Sequence, residues 1–158
     1  MQNFKIEYFE REHGIGSFPQ LRRLKNEEAG NIETFLKRRI GLPIQSSASD
    51  LLNFLDKKAV AVEGVDATHD AFDLKSILDK LGFSSEGCFV LFANWHQFQE
   101  VEELASDDVC RYFSDIYYPS ADDMVIVGSN LLWLMVITHE GEVKALELAG
   151  GRGLTAAK

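Results

Sequence analysis

Residues 131–138 read Leu-Leu-Trp-Leu-Met-Val-Ile-Thr, an apolar run closed by one threonine. A membrane helix takes roughly 20 apolar residues, so this run is too short to cross a bilayer. As a strand it has no polar face to give to water, so it must be interior with both sides covered. Short turn sequences flank it, Gly128-Ser129-Asn130 before and His139-Glu140-Gly141 after. Turns of that length join antiparallel neighbours. The segment therefore predicts a three-stranded meander over residues 124–127, 131–138 and 142–148. Trp133 falls on one strand face with Leu131, Met135 and Ile137, and reads as core. Residues 88–93, apolar throughout, predict a further central strand.

Material to cover such a sheet lies upstream. Over residues 21–39, Leu21, Leu24, Ile32, Phe35 and Leu36 follow a helical period, and Ile40 extends it. Arg38 and Arg39 suit the negative end of that helix, and Gly41 can stop it. Ser47 and Asp50 have the spacing of a capping box for a helix over 50–57 that buries Leu51, Leu52, Phe54 and Leu55. A third helix over 72–81 rests on Leu74, Ile77, Leu78 and Leu81, with Gly82 past its end. Ser106 is placed to cap a fourth, with Asp107 and Asp108 in its first turn. Val109, Tyr112, Phe113 and Ile116 make its stripe, and Pro119 ends it. The alternation Phe4, Ile6, Tyr8 reads as a short strand over 4–9. Residues 14–19 read as a loop and 59–63 as a short buried strand. The fold class is α+β, with N-terminal helices packed on a mostly antiparallel sheet that ends in the three-stranded meander. At 158 residues the chain reads as one domain over 1–149. The glycine-rich stretch 150–158 reads as a flexible tail.

Charge is unevenly spread. Residues 1–40 carry eight Lys/Arg and six acids, a net +2, whereas the other 118 residues carry a net −11 of the total −9. That balance argues against nucleic acid as ligand, because phosphate binding needs a dominant basic face. It favours a basic partner. The acids concentrate between Gln99 and Met124: Glu100, Glu102, Glu103, Asp107, Asp108, Asp115, Asp122 and Asp123 against Arg111 alone, a net −7. Tyr112, Phe113, Tyr117 and Tyr118 lie in the same window. Aromatics beside unpaired acids describe a surface that docks a cation-rich protein. The expected binding residues are Glu100, Glu102, Glu103, Asp107, Asp108, Asp115, Tyr117, Tyr118, Asp122 and Asp123.

Motifs for chemistry are sparse. His139-Glu140 begins like a zinc-protease helix, but position 143 is Val and the segment is a turn, so His139 reads as a histidine that hydrogen-bonds its loop. Asp122 and Asp123 are adjacent in an extended segment and point to opposite sides. His69-Asp70 and His96 have no spacing that recruits them to a metal. His96, with Asn94 and Trp95, follows the central strand and is either a site residue or a packing one. Cys88 and Cys110 lack CxxC spacing and an adjacent base, and read as reduced thiols. Neither a phosphate loop nor a nucleophile elbow is present. The charged start of the chain lacks an apolar signal core, which points to the cytoplasm. No catalytic residue, metal ligand set or cofactor is expected.

Residues 116–143, IYYPSADDMVIVGSNLLWLMVITHEGEV, resemble the C-terminal sheet of bacterial immunity proteins encoded beside polymorphic or contact-dependent inhibition toxins, in the style of the SUKH-type superfamily. The likeness rests on Tyr118-Pro119-Ser120, Asp122-Asp123, Trp133 and His139-Glu140-Gly141. It implies helices paired with a mixed sheet and a cytosolic protein that neutralises a toxin domain by one-to-one binding, without an active site of its own. A toxin nuclease domain, basic where it holds phosphates, would suit the acidic window. Two other classes stay open: a small hydrolase using Asp122, Asp123, His139 or His96, and a structural or adaptor domain.

Overall fold

A computed structural model describes residues 1–93 and 100–148. Along the chain these residues form α1 (Asn3–His13), β1 (Arg22–Leu24), α2 (Asn26–Ile40), α3 (Ala48–Lys58) and β2 (Val60–Asp66). They continue with α4 (Leu74–Leu81), β3 (Gly87–Phe92), β4 (Val101–Ala105), α5 (Ser106–Arg111) and α6 (Phe113–Ile116). The meander β5 (Met124–Gly128), β6 (Trp133–Ile137) and β7 (Glu142–Glu147) closes the described chain. The strands make one sheet in the order β1-β4-β3-β5-β6-β7-β2, and every neighbouring pair is antiparallel. The expected α+β class holds, and the meander sits where residues 131–138 require it. Among the described residues no helix is long and apolar enough to cross a membrane.

The period-2 alternation of the strands splits the core in two. Val90, Phe92, Met124, Ile126, Trp133, Met135 and Ile137 face one side and pack with α4, α5 and α6. Phe89, Leu91, Val125, Val127, Leu134 and Val136 face the other and pack with Ala29 and Leu36 of α2 and Leu51 and Leu55 of α3. Each such side chain contributes roughly 1.5–3 kcal/mol on burial. Both faces of β3, β5 and β6 are therefore covered, so their uninterrupted apolar sequences leave nothing for water.

Local signals fixed several boundaries. Ser47 and Asp50 form the capping box in full, the Ser47 hydroxyl accepting from the Asp50 amide and the Asp50 carboxylate from the Ser47 amide. Gly41 and Gly82 both end their helices in the left-handed conformation that glycine reaches without strain.

Four expectations need correction. Residues 4–9 are helix, not strand: Met1, Lys5 and Phe9 are buried at a four-residue spacing, and the alternation of Phe4, Ile6 and Tyr8 is coincidental. Leu21 and Leu24 do not belong to a helix, because Arg22–Leu24 is a strand opposite Glu103–Val101, and α2 starts only at Asn26. Residues 59–63 contribute to an edge strand, paired on one side only, with Val60 and Ala61 exposed. Gly64, at φ +72°, lies in its irregular stretch, so that Val62 and Val65 both reach the same core. Ser106 is the first residue of α5 and makes no side-chain cap; its hydroxyl meets Cys88 Sγ and Ser85 Oγ instead. The expected tail at 150–158, with Asn94, Trp95 and His96, lies outside the described residues.

Trp133 anchors the meander. It is buried, its ring stacks on Phe83 at 5.2 Å, and its Nε1 donates to the Ser84 carbonyl at 3.3 Å. A Cβ on Gly128 would come within 2.6 Å of the indole, so the neighbouring strand must carry glycine there. Trp133→Ala is expected to lose about 3–5 kcal/mol, as large core truncations do. Urea denaturation reads this directly, and an unchanged midpoint and slope would refute the core assignment.

Candidate functional site

The first helix is held down by a charge. Lys5 is fully buried, its Nζ donating to the Ile116 carbonyl at 2.6 Å and to Asp122 Oδ2. The ammonium also lies 4.0 Å from the centre of the Phe92 ring and 4.7 Å from that of Tyr118. Asp122 Oδ2 in turn accepts from the Tyr118 amide at 2.7 Å. Burial lowers the Lys5 pKa, and the hydrogen bond that Lys5 donates to Asp122 opposes that fall. These contacts fasten α1 to α6 and to the loop that leads into β5.

What α1 then presents outward is aromatic. Phe4 and Tyr8 rank among the exposed large apolar side chains at 39% and 47%. Phe4 lies 6.1 Å from Tyr8 and 5.8 Å from the half-buried Tyr118, ring centre to ring centre. Burial raises the Tyr118 phenol, and the nearby carboxylates of Asp115, Asp122 and Glu12 add to the rise. Glu12 and Asp115 thus border the cluster, and His13 Nε2 approaches Asp115 at 3.9 Å. The Arg11 guanidinium covers the Tyr8 ring at 4.6 Å, a stacking geometry that such rings offer to any guanidinium. Glu12, His13 and Asp115 come close enough to share an ion, but the group is exposed and ion-free chains commonly carry such clusters.

The structure divides the ten residues singled out from sequence. Asp115 and Tyr118 join the α1 surface. Glu102, Asp122 and Tyr117 are buried, which removes them from any docking surface. Glu102 pairs with the Met1 amino group and Arg23, and Glu103 with Arg22 at 2.8 Å. The acidic window was read as opposed by Arg111 alone; the arginines of β1 lie directly across from Glu102 and Glu103 in the antiparallel register, Lys5 meets Asp122, and Lys75 approaches Asp107 at 3.6 Å. Tyr117 stacks on Phe113 at 5.2 Å and donates its hydroxyl to the Thr138 carbonyl at 2.7 Å. Glu100 and Asp107 are exposed but flank opposite ends of β4, and Asp108 is half-buried. The window is thus several sites rather than one. Sequence reasoning missed Phe4, Tyr8 and Glu12. Their four-residue spacing was the available signal, hidden by reading that segment as a strand.

Asp123 leaves the buried pair and turns to the meander. Its Oδ1 accepts from the His139 amide at 2.8 Å and meets His139 Nδ1 at 2.7 Å. The Ser120 amide donates to the His139 carbonyl at 2.8 Å. His139 is therefore the loop-bonding histidine its turn position suggested, and Asp122 and Asp123 do serve opposite sides. Together with the Tyr117 hydroxyl, these contacts clamp residues 117–123, and hence Tyr118, to the turn between β6 and β7.

No protein-family model matches this chain, no curated protein matches its sequence, and no solved structure matches its fold. The functional reading therefore rests on the surface itself.

Two outcomes test the framework under that surface. Asp122→Asn keeps the shape but leaves the Lys5 charge buried without its counter-charge, which is expected to destabilise the fold by about 3–5 kcal/mol in urea denaturation. Adding Lys5→Met should recover part of the loss; a double variant no better than the single would sink the charge argument. The Asp123 carboxylate raises His139 above its ordinary 6.5. A raised histidine contributes its stabilisation fully at pH below that ordinary value and loses it as pH rises through the higher folded value. Asp123→Asn should bring the NMR titration midpoint of His139 down, and an unmoved midpoint would contradict the pairing.

Proposed function

We propose that the protein is a binding module that neutralises a basic protein, and that the α1–α6 surface is where the partner docks. The observation that carries this reading is the cluster Phe4, Tyr8 and Tyr118, assembled from two distant parts of the chain and bordered by Glu12 and Asp115. Aromatic side chains in reach of a partner are the residue type that dominates interface energies. A carboxylate border selects cationic partners and speeds their encounter. Tyr8 already receives a guanidinium from Arg11 on its face, and a partner arginine or lysine would use the same attraction. Glu100 and Asp107 add to the surrounding negative field without touching the cluster.

The resemblance of residues 116–143 to bacterial immunity proteins supplies the class of partner. In this reading the chain acts in the cytoplasm and caps a toxin domain from a contact-dependent or polymorphic system. A nuclease domain is the best match, because its phosphate-holding site is positive and an acidic, aromatic surface can occupy it as its substrate would. The protein would need no reaction of its own for this task.

On this reading the gene beside this one encodes a basic toxin domain, and that domain is the partner for the test. Tyr8→Ala and the charge reversal Glu12→Lys with Asp115→Lys should leave the fold intact, because Tyr8 and Glu12 are exposed and Asp115 lies near the surface. Each is expected to weaken binding about tenfold to a hundredfold, or roughly 1.4–2.8 kcal/mol. The charge-reversed form should also lose most of its salt dependence. Folded variants that bind and protect cells like the wild type would remove this surface from the interface.

A further inference from the structure

A second site lies apart from the aromatic cluster, between the loop after β2 and the helices α5 and α6. It is a cavity of about 310 Å³. Ligand pockets begin at roughly 300 Å³, so it suits a compact molecule. Its apolar wall is the half-buried ring of Phe72, backed by the buried Phe113 at 4.7 Å and, behind that, by the buried Tyr117, 5.2 Å from Phe113, ring centre to ring centre. The Tyr117 hydroxyl is already engaged with the Thr138 carbonyl, so that ring is fixed in place.

The polar lining is of both signs. Arg111 and Asp70 line the same cavity, are both exposed, and form no ion pair with one another. The Arg111 guanidinium lies 5.9 Å from the Tyr112 ring centre, and its planar fork of donors suits a carboxylate. Ser114 contributes a hydroxyl. His69 accepts the Ala71 amide on Nδ1 at 3.1 Å, so the neutral ring carries its proton on Nε2 and can donate there. Asp66, the neighbouring carboxylate, is already engaged by the Thr68 amide and hydroxyl at 2.8 and 2.7 Å. Burial pushes the Cys110 thiol up to about 11, so that wall is a protonated, unreactive sulfur.

We propose that this cavity binds a small zwitterion with a flat apolar body, of the aromatic amino-acid class. Its carboxylate meets Arg111, supported by Ser114 and His69, its ammonium meets Asp70, and its ring lies on Phe72. A ligand of one sign would leave either Arg111 or Asp70 as a like charge beside it. A zwitterion satisfies both, and the aromatic wall accounts for the apolar body. The site is independent of the docking surface, so either can fail without the other.

The experiment is an NMR titration of the 15N-labelled full chain with L-phenylalanine, phenylacetate and phenethylamine. L-phenylalanine should give saturable amide shifts at residues 67–72 and 110–117, and bind about tenfold more tightly than either singly charged probe. Arg111→Gln should abolish the response to L-phenylalanine and phenylacetate. Asp70→Asn should weaken L-phenylalanine and phenethylamine but leave phenylacetate unchanged or tighter. The unperturbed remainder of each spectrum reports that the variant is folded. No saturable shift up to about 10 mM, a response that survives Arg111→Gln, or phenylacetate binding as tightly as L-phenylalanine would each overturn the proposal.

Discussion

The pairing of Lys5 with Asp122 is the contact on which the outward architecture depends. An ammonium group removed from water loses solvation worth several kcal/mol, and it is retained only where an opposite charge and further acceptors replace that water. Here the replacement is complete: a carboxylate, a carbonyl and two aromatic faces surround Nζ. Three of these partners lie within residues 116–122 and the fourth, Phe92, in β3, so Lys5 is joined to chain up to 117 residues away. The pair therefore fixes the position of α1 relative to α6 and to the loop before β5. Buried charge contributes little net stability compared with apolar packing, but it is intolerant of alternative arrangements, which is the property a preformed docking surface needs.

That dependence extends outward in steps. Asp122 also holds the Tyr118 amide, and Asp123, one residue on, is bonded to His139 in the turn between β6 and β7. Within the meander β5 and β6 are packed on both faces, and the clamp ties residues 117–123 to the turn that leaves β6. Tyr118 is thus presented by a loop secured at both ends. A surface aromatic placed in this way loses little conformational freedom when it is covered, so more of its contact energy survives as affinity. The same reasoning separates this face from Glu102 and Glu103, whose charge is largely consumed by Arg22 and Arg23 across the strand pair.

The reading of the charge distribution shows why a linear window misleads. Eight acids between Gln99 and Met124 look like one negative patch when counted along the chain. An antiparallel sheet breaks such a count, because successive strand residues alternate between faces and strand ends lie far apart. Glu102 and Glu103 already point to opposite sides, and β4 carries Glu100 and Asp107 to opposite ends. Three of the eight basic residues of 1–40, Lys5, Arg22 and Arg23, are the partners of those acids, so part of the asymmetry between the two parts of the chain is the trace of a long-range pairing.

Signals confined to a few neighbouring residues were legible without the structure. The capping box at Ser47, the helix stops at Gly41 and Gly82, and the meander with its two-sided strand all follow from chemistry within one turn or one strand. The segments that misread were those whose local pattern is ambiguous: Phe4, Ile6 and Tyr8 alternate as a strand would, and Leu21 and Leu24 fit a helix. Their state was decided by what they touch, α1 by Asp122 and β1 by β4. The sequence by itself determined that a covered, antiparallel sheet must exist, because an apolar strand cannot face water. Only the tertiary structure decided which charges remain outside, because a carboxylate reads the same in the chain whether it meets solvent or a lysine 117 residues away.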